Sequence, residues 1–123
     1  MGTVLLFNIE TKKAIAIKNL CRKLYLDYRE IAPEDFGRTL GYLLGLTDDS
    51  VSKPDAGFDE EMLYFSEFSS GMLDIFLAQL RRQKCPVALK AVQTETNLQF
   101  TACELYRELS AEREAIVRGQ QAH

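Results

Sequence analysis

The chain has 123 residues, of which 46% are hydrophobic and 27% are charged. This size and composition are typical of a single folded domain with its own core, and they exclude disordered and collagen-like chains. The net charge of −3 disfavours an obligate nucleic-acid or anionic-membrane partner, because both are bound mainly through clustered lysine and arginine. The single histidine, His123, disfavours histidine-based catalysis and transition-metal binding, so we predict no metal and no cofactor.

The first part of the chain has the pattern of a strand, a helix and a second strand. The apolar run over residues 4–7 predicts a central strand that is buried on both faces. Apolar residues at helical spacing around Ile17 predict an amphipathic helix of about four turns, with Thr11 as a candidate N-cap. Residues 28–32 predict a short strand near an edge, ended by Pro33.

Residues 33–60 form an irregular insert in this pattern. Pro33 and the two acids after it suit the start of a helix, and glycines interrupt the segment that follows. Residues 47–57 are polar and rich in turn formers. We therefore predict a mobile loop rather than a linker between two domains.

The second part of the chain repeats the strand–helix–strand pattern and adds a helix. Residues 62–68 and 87–92 predict two more strands, and a helix capped by Ser69 and Ser70 lies between them. Thr101 and Glu104 form a capping box at the start of the last helix. Its tail, residues 119–123, is predicted to fray.

The element order β-α-β-insert-β-α-β-α predicts one α+β domain over residues 1–123. We expect a two-layer, ferredoxin-like split βαβ fold, with a four-stranded, mainly antiparallel sheet and two helices on one face. The extra C-terminal helix would pack at an edge or cover part of the open face. A small parallel sheet in three layers is the rival architecture.

Four stretches together carry a family resemblance: residues 4–8, 40–45, 61–69 and 87–97. In this order they resemble a bacterial family, typical of Firmicutes, that is known only as domain of unknown function 3783. The resemblance implies a bacterial cytosolic protein, and it provides no catalytic residue to carry over. One departure is that Leu98, Gln99 and Phe100 follow Asn97 where the family would have a tryptophan.

The cysteines and the apolar runs predict a cytoplasmic protein. Cys21, Cys85 and Cys103 are an odd number at wide spacing, as in a reduced set. Residues 1–6 lack the basic region of a secretion signal, and no apolar run approaches the roughly 20 residues that span a bilayer. Cys21 and Cys103 are expected in the core, whereas Cys85 lies in a turn among cations.

Lys90 is the candidate ligand-binding residue, because it is a lone cation in an apolar strand. Unpaired burial of its ammonium group would be costly, so Lys90 should lie on the open sheet face or meet a carboxylate. In the functional interpretation it anchors an anion, together with Thr94, Thr96 and Asn97 at the strand's end. In the structural interpretation it is a solvated lysine or forms a cross-strand pair with Glu67.

Two apolar sets are candidate interaction surfaces. Tyr42, Leu43 and Leu44 border the predicted mobile loop, and Tyr64 and Phe68 would share the open sheet face. Such a face could stack RNA bases, but the basic and aromatic run typical of RNA-binding sheets is absent. The same face suits a homodimer that forms through the sheet.

These features favour a non-enzymatic binding or regulatory module that forms a homodimer through the sheet or the terminal helix. Its insert would change order when a small anionic ligand or a protein partner binds. The first alternative is a small enzyme in which Lys90, Glu67 and Asn97 line an anion-binding active site. The second is a structural adaptor subunit without a small ligand.

Overall fold

The computed structural model describes residues 2–48 and 52–121. The strands in this part of the chain are β1 (Thr3–Phe7), β2 (Asp27–Ile31), β3 (Met62–Ser66) and β4 (Leu89–Val92). The helices are α1 (Thr11–Lys23), α2 (Leu40–Leu43), α3 (Ser70–Arg82) and α4 (Ala102–Gln121), and two 3₁₀ turns cover Pro33–Asp35 and Asn97–Gln99.

The four strands form one mixed sheet in the order β2-β1-β3-β4. β1 pairs with β2 and β3 pairs with β4 in parallel, whereas β1 and β3 are antiparallel. The predicted neighbourhood of the first, third and fourth strands is confirmed, but the prediction of a mainly antiparallel sheet is wrong. The ferredoxin-like arrangement is not found either, because each βαβ unit places its own two strands side by side with no strand between them.

Helices cover both faces of the sheet. Val4, Leu6, Leu63 and Phe65 pack against α1 and α3 on one face. Leu5, Phe7, Met62 and Tyr64 pack on the other face, against α4 and the insert. The two inner strands therefore alternate between two cores, which explains why they are apolar at nearly every position. The expected two-layer fold with an open face is corrected to three layers.

The two βαβ units are structural repeats with a constant offset of 59 residues, the separation between Thr3 and Met62. Strands β1 and β3 and helices α1 and α3 begin and end at this offset. The backbone has positive φ just after each of these strands, at Asn8 and Glu67, and just after each helix, at Tyr25 and Lys84. We call residues 3–31 the first unit and residues 62–92 the second unit.

A pseudo-two-fold axis perpendicular to the sheet relates the two units. In the antiparallel register, Leu5 pairs with Tyr64, which is its own counterpart at the offset of 59 residues. The contact between β1 and β3 therefore uses the same strand positions from both units, as an isologous dimer interface does. A rotation about such an axis keeps each helix on its face of the sheet, so α1 and α3 lie side by side.

The insert is packed onto the sheet for much of its length. Phe36, Leu40 and Leu43 are buried in the second core. The ring of Phe58 stacks between Phe36 and Tyr106, with centroid distances of 4.6 and 4.5 Å. The predicted mobile loop thus contains a 3₁₀ turn and α2, and it covers the face that we had expected to be open. Positions 49–51 of that loop lie outside the described residues.

Side chains cap three helices at their first turns. Glu10, rather than the expected Thr11, is the N-cap of α1 and accepts from the backbone N–H of Lys13. Ser69 caps α3 as predicted. The predicted box at α4 is confirmed, since Thr101 N donates to Glu104 Oε1 at 2.9 Å and Glu104 N donates to Thr101 Oγ1 at 3.1 Å.

Candidate functional site: a basic pocket at the end of α3

A concave site of about 370 Å³ lies where α3 ends and β4 begins. We call it the basic pocket. Its volume is in the range of small-molecule sites. It is lined by Leu77, Leu80, Arg81, Lys84, Cys85, Pro86 and Lys90.

The C-terminal turn of α3 places the cations around the pocket. The backbone N–H of Cys85 donates to the carbonyl of Leu80 at 3.0 Å, and that of Lys84 donates to the carbonyl of Arg81 at 3.1 Å. This is the Schellman pattern, in which the residue after the helix adopts the left-handed conformation. Lys84 holds that conformation, with φ of 55°, although glycine is the usual residue there.

Lys90 reaches the pocket from β4. It pairs with Leu63 in the register, and Leu63 contributes to the core below α1 and α3. The side chain of Lys90 therefore lies on the α3 side of the sheet, not on the opposite face as expected. Its Nζ donates to the carbonyl oxygen of Val87 at 3.1 Å, and the residue is exposed.

The pocket combines positive charge with an apolar floor. Arg81, Lys84 and Lys90 are its charged lining residues, and none of the described lining residues is acidic. Within residues 2–48 and 52–121, none of these three cations forms an ion pair with a carboxylate. Leu77, Leu80 and Pro86 supply apolar surface, so the pocket is suited to an anion that carries an apolar body.

Thr94 and Asn97 lie together, but they belong to a separate turn after β4. Asn97 Oδ1 accepts from Tyr64 Oη at 2.6 Å and from the backbone N–H of Thr94 at 2.9 Å. Asn97 Nδ2 donates to the carbonyl of Val92, and Thr94 Oγ1 accepts from Asn97 N. These bonds tie the turn to buried Tyr64. Thr96 precedes the adjacent 3₁₀ turn and is exposed.

Glu67 follows the last residue of β3 and is exposed. Lys90 lies opposite Leu63, four positions before Glu67. At roughly 3.3 Å per strand residue, Glu67 lies about 13 Å further along the strand direction. The register therefore does not support the predicted cross-strand pair.

The candidate interaction surfaces are divided between core and surface. Tyr64 is fully buried and Leu43 nearly so, whereas Tyr42, Leu44 and Phe68 are partly buried. Phe68 packs with the α1 and α3 core and Tyr64 with the opposite one, because the positive φ of Glu67 ends the strand alternation between them. This corrects the shared exposed face, and Tyr64 has no accessible ring to stack on a base. Burial also raises the pKa of the Tyr64 hydroxyl.

The cysteines are all free and buried. Burial raises the pKa of Cys21 to about 12, and burial together with the nearby Asp55 carboxylate raises that of Cys103. Both thiols therefore stay protonated at neutral pH, which fits their predicted core role. Cys85 borders the basic pocket, and its Sγ lies 3.6 Å from the carbonyl oxygen of Gln83.

Sequence reasoning identified Lys90 but did not join it to Arg81 and Lys84. Those two cations drew notice only as neighbours of Cys85. A usable signal was present, because basic residues end α3 directly before the turn that leads into β4. Reading Lys90 on the same side as α3 required the register of β4, which depends on the structure.

The fold and the pocket define a three-layer α/β domain made of two βαβ repeats, with a cationic site in the second repeat. Residues 61–116 match the model of a family described as Domain of unknown function (DUF3783). That segment holds the second unit and most of α4, and therefore the whole basic pocket. No curated protein and no solved structure matches the chain significantly.

Two further searches of the described residues gave negative results. Within residues 2–48 and 52–121, no group of three or more histidine, cysteine, aspartate or glutamate side chains could hold a metal ion. None of the helices in that part of the chain has the length and apolarity to cross a bilayer.

Proposed function

We propose that the protein is a non-enzymatic binding module for a small organic anion, which binds in the basic pocket. The observation that carries the proposal is the meeting of three cations, from α3, its terminal turn and β4, around an apolar concavity without an acidic lining residue. Like charges gathered in this way repel one another, and a bound anion would relieve that repulsion.

A purely structural role explains only part of this cluster. Basic residues in the last turn of a helix interact favourably with the helix dipole. Arg22 and Lys23 occupy the last turn of α1, as Arg81 and Arg82 do in α3. Lys90 is not part of a helix end, however, and the open volume beside it has no such explanation. These two features favour a binding site.

The geometry gives less support to the two alternatives. Lys90, Glu67 and Asn97 do not gather around one cavity, because Asn97 is engaged in its own turn and Glu67 lies beyond the end of β3. This counts against the proposed enzyme site. An adaptor subunit would not require the basic pocket.

Three properties that the sequence predicts remain proposals. A cytoplasmic location is supported by three free cysteines. A bacterial origin is supported only by the family resemblance. Homodimer formation through the sheet faces loses its basis because both faces are covered, so we propose α4 as the dimer contact, where Ile116 and Val117 are exposed.

The proposal can be tested with cyclohexanecarboxylate, a probe that joins an anionic group to an apolar ring. Titration of the ¹⁵N-labelled protein should shift the amide signals of the pocket, including those of Leu80, Lys84 and Cys85. Replacement of Arg81 or Lys90 by alanine should weaken binding about tenfold, because each removes a charge-assisted contact.

Arg82→Ala is the matched control, since Arg82 is the adjacent arginine and does not line the pocket. It should leave the dissociation constant unchanged, and Lys90→Arg should retain binding. The proposal is overturned if neither cyclohexanecarboxylate nor benzoate shifts the pocket signals, or if Arg82→Ala weakens binding as much as Arg81→Ala.

A further inference from the structure

The pseudo-symmetry provides an internal reference for the basic pocket. Arg22 in the first unit is the counterpart of Arg81 at the offset of 59 residues. Tyr28 pairs with Val4, and Lys90 pairs with Leu63, which is the counterpart of Val4. Tyr28 and Lys90 therefore occupy the same place in the two units, each beside the end of the unit's helix.

In the first unit, the ring of Tyr28 occupies this place. Arg22 Nη2 donates to Tyr28 Oη at 2.7 Å, and the Arg22 guanidinium carbon lies 5.5 Å from the ring centroid. The Nζ of Lys18 lies 6.0 Å from the same centroid. The site thus holds an aromatic ring against two cations, with an oxygen that accepts from arginine.

In the second unit, the corresponding ring is absent. Lys90 stands where Tyr28 stands, and Leu77 replaces Lys18 as apolar lining. Arg81 has no ring or hydroxyl of this kind beside it among the described residues. The space that a tyrosine side chain fills in one unit is open in the other, and a cation has been added to it.

We infer that the basic pocket selects an aromatic anion, such as an aryl carboxylate, whose ring takes the place that the Tyr28 ring takes in the first unit. The ring would contact Arg81 and the apolar floor, and the anionic oxygen would accept from Arg81 and Lys90. This inference rests on the proposed anion-binding function and adds the chemical class of the ligand.

The test compares benzoate with cyclohexanecarboxylate, which has the same charge and nearly the same size but no aromatic face. Both affinities are measured by the titration described above, with inorganic phosphate as a third probe. Benzoate should bind about three- to fivefold more tightly, as expected for one cation–π contact. Phosphate should bind more weakly than either, since it lacks an apolar body.

A fill-in variant tests the assigned place directly. Lys90→Tyr recreates the first unit's residue, so its ring should occupy the pocket and weaken benzoate binding more than tenfold. A crystal structure or NOE contacts between the new ring and Arg81 would confirm the position. Lys90→Leu is the companion variant, which removes the charge without adding a ring, and it should retain a residual preference for benzoate.

The outcomes separate this inference from the proposed function. Equal binding of benzoate and cyclohexanecarboxylate, with both weakened by Arg81→Ala, would overturn the aromatic selectivity and leave an anion pocket. Failure of all three probes to shift the pocket signals would overturn both. Undiminished benzoate binding by Lys90→Tyr would also overturn the inference, because the ring would then bind elsewhere.

Discussion

The two βαβ units have the same backbone plan, but only one of them has an open cationic pocket. The first unit fills the space beside its helix end with Tyr28, which is held by Arg22. The second unit leaves that space open and surrounds it with Arg81, Lys84 and Lys90. The difference shows that the backbone repeat alone does not make the site. Substitution at one strand position and at neighbouring helix positions is sufficient to convert a packed contact into a cavity.

The largest expected effect tests whether the two units unfold together. Ile17 and Phe76 are counterparts in α1 and α3, and both are fully buried in the core that the two helices share. Ile17→Ala should lower the free energy of unfolding by about 2–5 kcal/mol and Phe76→Ala by about 3–5 kcal/mol. Urea denaturation followed by circular dichroism and by tyrosine fluorescence measures both losses.

Because the two units share one core, each variant should keep a single transition with both probes. Two separate transitions in either variant would show that the units are independently stable, and the comparison would then concern two domains. Ile15→Ala is a suitable control, since Ile15 lies on α1 but is 54% exposed.

The next effect concerns the matched turns after α1 and α3. Tyr25 and Lys84 both have positive φ, near 58° and 55°, where a side chain is unfavourable. Tyr25→Gly and Lys84→Gly should each raise the free energy of unfolding by about 1 kcal/mol, because glycine removes the steric penalty. Thermal and urea denaturation measure these gains.

The two glycine variants should differ in binding. Lys84→Gly removes one cation of the basic pocket and should weaken carboxylate binding several-fold, whereas Tyr25→Gly should leave it unchanged. A residue that costs stability but improves binding is typical of functional sites. If Lys84→Gly binds carboxylates as tightly as the unmodified protein, Lys84 has no role in the pocket.

The smallest effect concerns α4, which follows the second unit and has no counterpart after the first. Glu60 accepts from Arg113 at 2.8 and 2.9 Å and from Tyr106 at 2.9 Å. The Arg113 guanidinium, helped by the Tyr106 hydroxyl, lowers the pKa of Glu60 to about 2. Because the folded-state pKa is depressed, the stabilisation is complete above the ordinary pKa of 4.5 and is lost as the pH falls through about 2.

Arg113→Ala should therefore destabilise the protein at pH 7 by less than about 1 kcal/mol, because the pair is exposed and screened. The difference from the unmodified protein should shrink as the pH falls toward 2. Arg118→Ala, which removes an exposed pair within α4, is the control. A loss from Arg113→Ala that stays constant down to pH 2 would contradict the role of the Glu60 carboxylate.

The strands and helices followed from periodicity, but their arrangement did not. The apolar runs at β1 and β3 and the capping residues Ser69 and Thr101 identified the elements correctly. A repeated β-α-β order, however, fits both a split arrangement and two adjacent parallel pairs. Local sequence does not tell whether a third strand separates the two strands of a unit, because that choice depends on contacts distant in the chain.

The packing of the insert was missed because its glycines and polar loop obscured an apolar pattern. Phe36, Leu40 and Leu43 recur at spacings of four and three residues, which is a helical stripe. Gly37 is needed because a Cβ there would collide with the carbonyl of Lys53. Since this segment covers the second face, missing it led to the expected open face and to the misplacement of Lys90 on it.

The orientation of the pseudo-two-fold axis also bears on protein engineering. Because β1 and β3 run in opposite directions, the loops that begin at Asn8 and at Glu67 leave from opposite rims of the sheet. Peptide epitopes or binding loops grafted at these two positions would point away from each other and would not compete for space. The scaffold could thus display two different recognition sequences on one small monomer.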